Sequence, residues 1–149
     1  MKEIIGFDLD GVICPDVEWD GDISDEGIAR LHKLRDQIYP IFYPNGDFIL
    51  ITGRPTDDEI VTRKWLNKHQ IGPLKVHHYE KEKDTWNTDK VIYHKARWIS
   101  HYSCQDEKYR MTCFVESDWL QVQELKKIIN IPVYHFATEL NLYYEEIKK

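Results

Sequence analysis

Short apolar runs alternate along this chain with longer stretches whose apolar residues recur every three or four positions. Ile4-Ile5-Gly6-Phe7 reads as a buried strand. Ser24 to Gln37 reads as a helix, with Ile28, Leu31, Leu34 and Ile38 at helical spacing and Ser24 placed to cap it. The turn signal Pro44-Asn45-Gly46 precedes a second buried strand, Phe48-Ile49-Leu50-Ile51. Thr56 and Glu59 have the spacing of a capping box directly after Pro55, which predicts a helix to about Gln70 that stops near Gly72-Pro73. Leu74 to Tyr79 is a third strand, and the polar stretch Glu80 to Thr88 a loop. Asp89 to His101 is a helix on Val91, Ile92, Ala96, Trp98 and Ile99. Met111 to Val115 is a fourth strand, Asp118 to Ile129 a helix that Asp118 can cap with Gln121 completing a capping box, Pro132 to Phe136 a fifth strand and Thr138 to Ile147 a last helix.

Strands that alternate with helices predict an α/β fold: a five-stranded parallel sheet with helices on both faces, in three Rossmann-like layers. The 149 residues suit one domain, and no linker or repeat divides them. A net charge of −6 argues against a long duplex-DNA footprint but leaves room for a local phosphate pocket. Cys14, Cys104 and Cys113 are odd in number and form no CxxC pair, so no disulfide framework or structural zinc is expected. Acid arrives too early for a signal peptide, and no apolar run reaches membrane-span length. The expectation is a cytoplasmic protein with no membrane partner.

In a parallel sheet, ligands bind outside the carboxyl ends of the strands. Here those ends read Asp8-Leu9-Asp10-Gly11-Val12, Thr52-Gly53-Arg54, His77-His78-Tyr79 and Glu116-Ser117-Asp118. Several carboxylates, a hydroxyl and tight turns therefore share one side of the sheet. Two carboxylates can hold magnesium, which completes its shell with water and phosphate oxygens. One Asp can then attack phosphorus while the other protonates the leaving oxygen. Gly11 lets the backbone turn and bring N–H groups to a phosphate. His77 and His78, adjacent in a strand, point to opposite faces and do not share a metal, although one can line the pocket. Trp19 reads equally as a substrate-stacking residue or a packing anchor; Tyr143-Tyr144 reads as packing.

Phe7-Asp8-Leu9-Asp10-Gly11-Val12 resembles the first motif of the haloacid dehalogenase-like (HAD) superfamily, and Ile49-Leu50-Ile51-Thr52-Gly53-Arg54 its second. Lys95 lies where the third motif's lysine belongs, with Lys90 a competitor on the same helix. Phe114-Val115-Glu116-Ser117-Asp118 resembles the acidic fourth motif. The resemblance implies a phosphatase in which Asp8 is the nucleophile that becomes an aspartyl-phosphate and Asp10 the general acid and later base. Thr52 would bond the phosphoryl group, and Lys95 would neutralise its charge; Gly11, Gly53 and Arg54 would line the phosphate site. Magnesium (Mg2+) would be held by Asp8, the Asp10 carbonyl and Asp118 or Glu116, with Asp118 favoured.

The gaps between motifs are filled by a loop, a helix and a strand each, so no cap domain is expected beyond a short flap at about Cys14 to Asp22. Capless relatives take large substrates or borrow a lid from a neighbouring subunit, here a homo-oligomer. A narrower resemblance links Thr62-Arg63-Lys64-Trp65-Leu66, Lys83-Asp84-Thr85 and Asp118-Trp119-Leu120-Gln121-Val122 to polynucleotide 3′-phosphatase domains. It implies a nucleotide or nucleic-acid end as the phosphorylated substrate, bordered by Arg54 and the residues around Tyr79. Two other readings are a phospho-accepting receiver domain of signalling proteins and a non-catalytic binding module on the same fold.

Overall fold

The computed structural model describes residues 1–80 and 87–136. The segment 81–86, most of the expected Glu80–Thr88 loop, and the expected final helix with Tyr143-Tyr144 lie outside the described residues. The elements run β1 (Lys2–Phe7), α1 (Asp25–Gln37), β2 (Phe48–Pro55), α2 (Glu59–Lys68), β3 (Lys75–Tyr79), α3 (Thr88–Cys104), β4 (Tyr109–Glu116), α4 (Trp119–Ile128) and β5 (Val133–His135). A single 3-10 turn, Thr56–Asp58, leads into α2. All strand pairs are parallel, in the order β3-β2-β1-β4-β5. This is the expected α/β sheet, with β1 at its centre.

Alternation along β2 explains the layering. Ile49 and Ile51 join Ile92, Ala96 and Ile99 of α3 and Val122 and Leu125 of α4 on one face. Phe48 and Leu50 point the other way, into a second cluster with Trp65 and Leu66 of α2 and Leu9, Val12 and Ile13. Gly6 lies in β1 opposite Phe114 of the neighbouring β4: a Cβ there would sit 2.6 Å from Met111 and 2.8 Å from Phe114. Only a residue without a side chain lets those two core groups close over the central strand.

Two of the three expected caps form as the sequence predicts. Ser24 Oγ accepts from the Gly27 N–H at 3.2 Å, and Asp118 Oδ1 from the Gln121 N–H at 3.1 Å. The Thr56–Glu59 capping box does not form: the chain enters α2 through the 3-10 turn, and neither Pro55 nor Asp58 makes a side-chain cap bond. Asp58 is drawn instead to α1, where it meets His32 at 3.0 Å and Arg35 at 3.3 Å. A tertiary charge pairing thus wins over a local cap.

Between β1 and α1 the regular pairing among the described residues is an isolated bridge between Asp10 and Cys14. Trp19, in the expected flap, is 37% exposed. Among the described residues, no helix is long and apolar enough to cross a membrane.

Leu125 is fully buried between α4 and the sheet. Leu125→Ala is expected to lower the unfolding free energy by about 2–5 kcal/mol, read as a lower urea midpoint with an unchanged m-value. A midpoint equal to wild type would contradict the packing described.

Candidate active site

β1 ends at Phe7, but the Asp8 N–H still donates to the Val115 carbonyl at 2.9 Å and extends the ladder by one bond. The chain then turns sharply. The Leu9 carbonyl accepts from the N–H groups of Val12, Ile13 and Cys14 at 3.0–3.3 Å, and the Gly11 N–H donates to the Cys14 carbonyl at 2.7 Å. Gly11 has φ of +83°, and a Cβ there would overlap the Ser117 side chain. It therefore supplies the turn and the clearance. Its N–H, expected to face a phosphate, is spent inside the turn.

The turn sends the two aspartates to different partners. Asp8, 5% exposed, faces Lys95 of α3, whose Nζ lies 3.3 Å from Asp8 Oδ1. Lys95, itself 2% exposed, also donates to Glu116 Oε2 and to Gln121 Oε1, each at 2.8 Å. Burial, and then repulsion from Glu116, push the Asp8 carboxyl well above the usual carboxylate range, against the pull of Lys95. The neighbouring carboxylates raise Lys95 despite its burial. Of the two competing lysines, Lys95 is thus the one joined to Asp8. Gln121 was expected to complete the α4 capping box; its side chain serves Lys95 instead, while its N–H takes the cap.

Asp10 faces the other half of the site. Arg54 grips it with two bonds, Nε to Oδ2 at 2.8 Å and an NH2 to Oδ1 at 2.6 Å. Arg35 of α1 stands 3.6 Å away. Burial opposes ionisation of Asp10, but Arg54 outweighs it and holds the carboxyl below its ordinary value. Asp10 is therefore a carboxylate at rest. Arg54, expected to line the phosphate site, is 4% exposed and also donates to Thr62 Oγ1 at 3.1 Å. Its donors are turned inward because β2 delivers it beneath the Leu9–Cys14 turn, so it acts here as the clamp on Asp10.

β2 runs on past the expected Ile51 to Pro55, so Thr52 is fully buried inside the strand, and its Oγ1 accepts from the Arg54 N–H at 3.0 Å. Its hydroxyl proton is left to donate. Gly53 abuts α3, where a Cβ would lie 3.0 Å from Val91. The Asp10 carbonyl accepts from Ser117 Oγ at 2.9 Å. Glu116, fully buried, gives Oε2 to Lys95 and Oε1 to the Asp118 N–H at 3.3 Å. Asp118 uses Oδ1 for its cap.

Sequence reasoning missed Arg35, Asp58 and Asp16. Arg35 and Asp58 belong to the pairings around Asp10 and carry no motif. Asp16 lies beside Gly11, where a Cβ would approach its Oδ2 to 2.8 Å. Burial, then the charges of Asp10, Glu116 and Asp118, raise its carboxyl. Its only sequence signal is proximity to the first turn. Among the described residues, no three His, Cys, Asp or Glu side chains form a group able to hold a metal ion. Magnesium does not demand one, since it takes one or two carboxylates together with water and phosphate oxygens. Burial lifts Asp8 and Asp16 first; the repulsion that each also feels from neighbouring carboxylates is the donor chemistry that suits a hard divalent cation.

No family model matches this chain, and no curated protein does. Two solved structures share its fold. "Structure of Pnkp1/Rnl/Hen1 complex" is similar over 91% of this chain with a TM-score of 0.56 and 15% identity. "Structure of the Pnkp1/Rnl/Hen1 RNA repair complex" is similar over 91% with a TM-score of 0.53 and 17% identity. The chain spans 46% and 44% of the chains it matches.

Replacing Lys95 by Met leaves Asp8 and Glu116 facing each other without a counter-charge. The expected loss is about 3–5 kcal/mol at neutral pH. Without Lys95 the folded Asp8 carboxyl rises further. A carboxyl raised on folding favours the fold below its unfolded pKa, and that stability is lost as pH climbs through the folded pKa. The deficit of Lys95→Met against wild type should therefore be smaller at about pH 5 than at about pH 8, in urea melts with chelator present. A deficit that is constant with pH would contradict the coupling.

Proposed function

We propose that this chain is a HAD-type phosphomonoester hydrolase that works through Asp8 on a nucleotide or nucleic-acid-end phosphate. The observation that carries the reading is the buried contact of Asp8 with Lys95 and Glu116, where β1 and β4 end. A buried lysine beside a carboxylate lowers the cost of ionising the nucleophile, holds it aligned and offsets the charge of an incoming phosphate. The strand order also separates this chain from a receiver domain, whose doubly wound sheet runs 2-1-3-4-5. The "RNA repair complex" of the similar structure supports a nucleic-acid substrate, as does the resemblance to polynucleotide 3′-phosphatases.

In the first half-reaction an Asp8 oxygen bonds to phosphorus, the ester P–O bond breaks and Asp10 gives a proton to the leaving oxygen. In the second, water attacks the aspartyl-phosphate and hands its proton to Asp10, and phosphate leaves. Thr52 donates its hydroxyl to the phosphoryl oxygens. Asp10 at rest is ready for the second half. For the first it must take up a proton from solvent, against the pull of Arg54. Asp8 and Asp118 would hold magnesium, Asp118 because Glu116 is already committed to Lys95. The ion, when bound, offsets the charge between carboxylates and phosphate.

The test is phosphate release from 3′- and 5′-nucleotides, a 3′-phosphorylated oligonucleotide and an aryl phosphate, with magnesium and with chelator. Wild type should release phosphate only with metal, and Asp8→Asn should fall to background while keeping its circular dichroism. Full activity in Asp8→Asn would exclude the covalent route. Silence across the panel would favour a non-catalytic module.

A further inference from the structure

The cleft between β3 and α3, about 640 Å³, is not used by the chemistry above. That volume is within the range of small-ligand sites. Its α3 wall carries Lys90, Tyr93, His94 and Arg97, spaced so that all reach one side of the helix. Its floor is joined to the reaction centre: His94 Nε2 lies 3.2 Å from the Thr52 carbonyl. At the other end His77 stacks on Trp98, ring centroids 3.7 Å apart and planes 20° from parallel, and bonds the Tyr102 hydroxyl at 2.7 Å. Trp98 is thus already covered by protein. Tyr93 is not: it lines the cleft and is 71% exposed. A large aromatic ring facing solvent on a cleft wall, between two cations one helical turn to either side, is the make-up of a base-stacking platform.

We propose that this cleft holds the terminal nucleotides of a single-stranded nucleic acid, with a base stacked on Tyr93 and the backbone against Lys90 and Arg97. The assignment rests on the phosphatase reading only for the direction of the strand, whose phosphorylated end would lead past His94 to Thr52. The charge balance sets the character of the site. Glu59 and Glu80 line it as well, so its two cations are offset by two carboxylates. Burial lowers His77 to about 4, leaving that ring neutral. Affinity should therefore come from stacking over a short footprint, which reconciles a nucleic-acid ligand with a net charge of −6.

The experiment is fluorescence anisotropy with a labelled single-stranded tetranucleotide bearing a 3′-phosphate, in chelator so that nothing turns over. Tyr93→Ala should weaken binding about tenfold or more, and Tyr93→Phe should bind as wild type. Log affinity against log salt should fall with a slope no steeper than about −1.4, the value for two phosphate contacts on a single strand. Aryl phosphate turnover, where present, should be unchanged in Tyr93→Ala, because Tyr93 lies outside the reaction centre. Wild-type affinity in Tyr93→Ala, equal losses in both variants, or a much steeper salt slope would overturn the proposal. Because binding is read without turnover, an inactive protein that still shows the Tyr93 effect would sink the phosphatase reading and leave the cleft assignment standing.

Discussion

Three buried charges fix the centre of this protein. Lys95 reaches across from α3 to lie between Asp8 and Glu116, and all three are almost fully removed from water. Such a group is costly unless its charges are offset and its hydrogen-bonding capacity is filled. Lys95 places its donors on Asp8, Glu116 and Gln121, so one ammonium ties α3 to the end of β1, to β4 and to α4. One positive charge against two carboxylates offsets only part of the negative charge. Burial first, and then the repulsion from Glu116, raise the Asp8 carboxyl. A site with an uncompensated carboxylate is ready for a further cation, and the proposed magnesium has that sign.

On the other side of the first turn, a second network holds Asp10. Arg54 and Arg35 both face it, while Asp58 ties Arg35 back to the start of α2. The Leu9–Cys14 turn is what separates the two aspartates. In an extended strand, residues two apart would share a face; here the turn delivers one to a lysine and the other to a pair of arginines. Opposite environments push their carboxyls in opposite directions, one up and one down. Two acids with divided roles need that separation.

Much of this was legible in the sequence, because it follows from local pattern. Apolar runs named the strands and, at Asp8 and Glu116, their carboxyl ends, although β2 runs past Thr52 to Pro55; Ser24 and Asp118 cap their helices as their chemistry predicts. The rest depends on contacts between distant segments. The Thr56–Glu59 pair fits a capping box, yet Asp58 goes to His32 and Arg35 across the fold. Arg54 follows Thr52-Gly53 in a stretch expected to line a phosphate, but turns inward to Asp10, forty-four residues away in the chain. Gln121 was read as a cap partner and proves to hold Lys95. Arg35 and Asp16 have no motif at all; only the folded chain brings them to the site. Periodicity reports which face a residue occupies, not which charge it meets there.

A nucleophilic Asp8 must carry the phosphoryl group during turnover. The decisive measurement is to incubate the protein with magnesium and a phosphoryl donor, quench rapidly in acid and map the peptides by mass spectrometry. One phosphoryl group is expected on the peptide containing Asp8, lost again on return to neutral pH with magnesium. Turnover with no phosphoryl group on Asp8, or with the group on another side chain, would contradict that role.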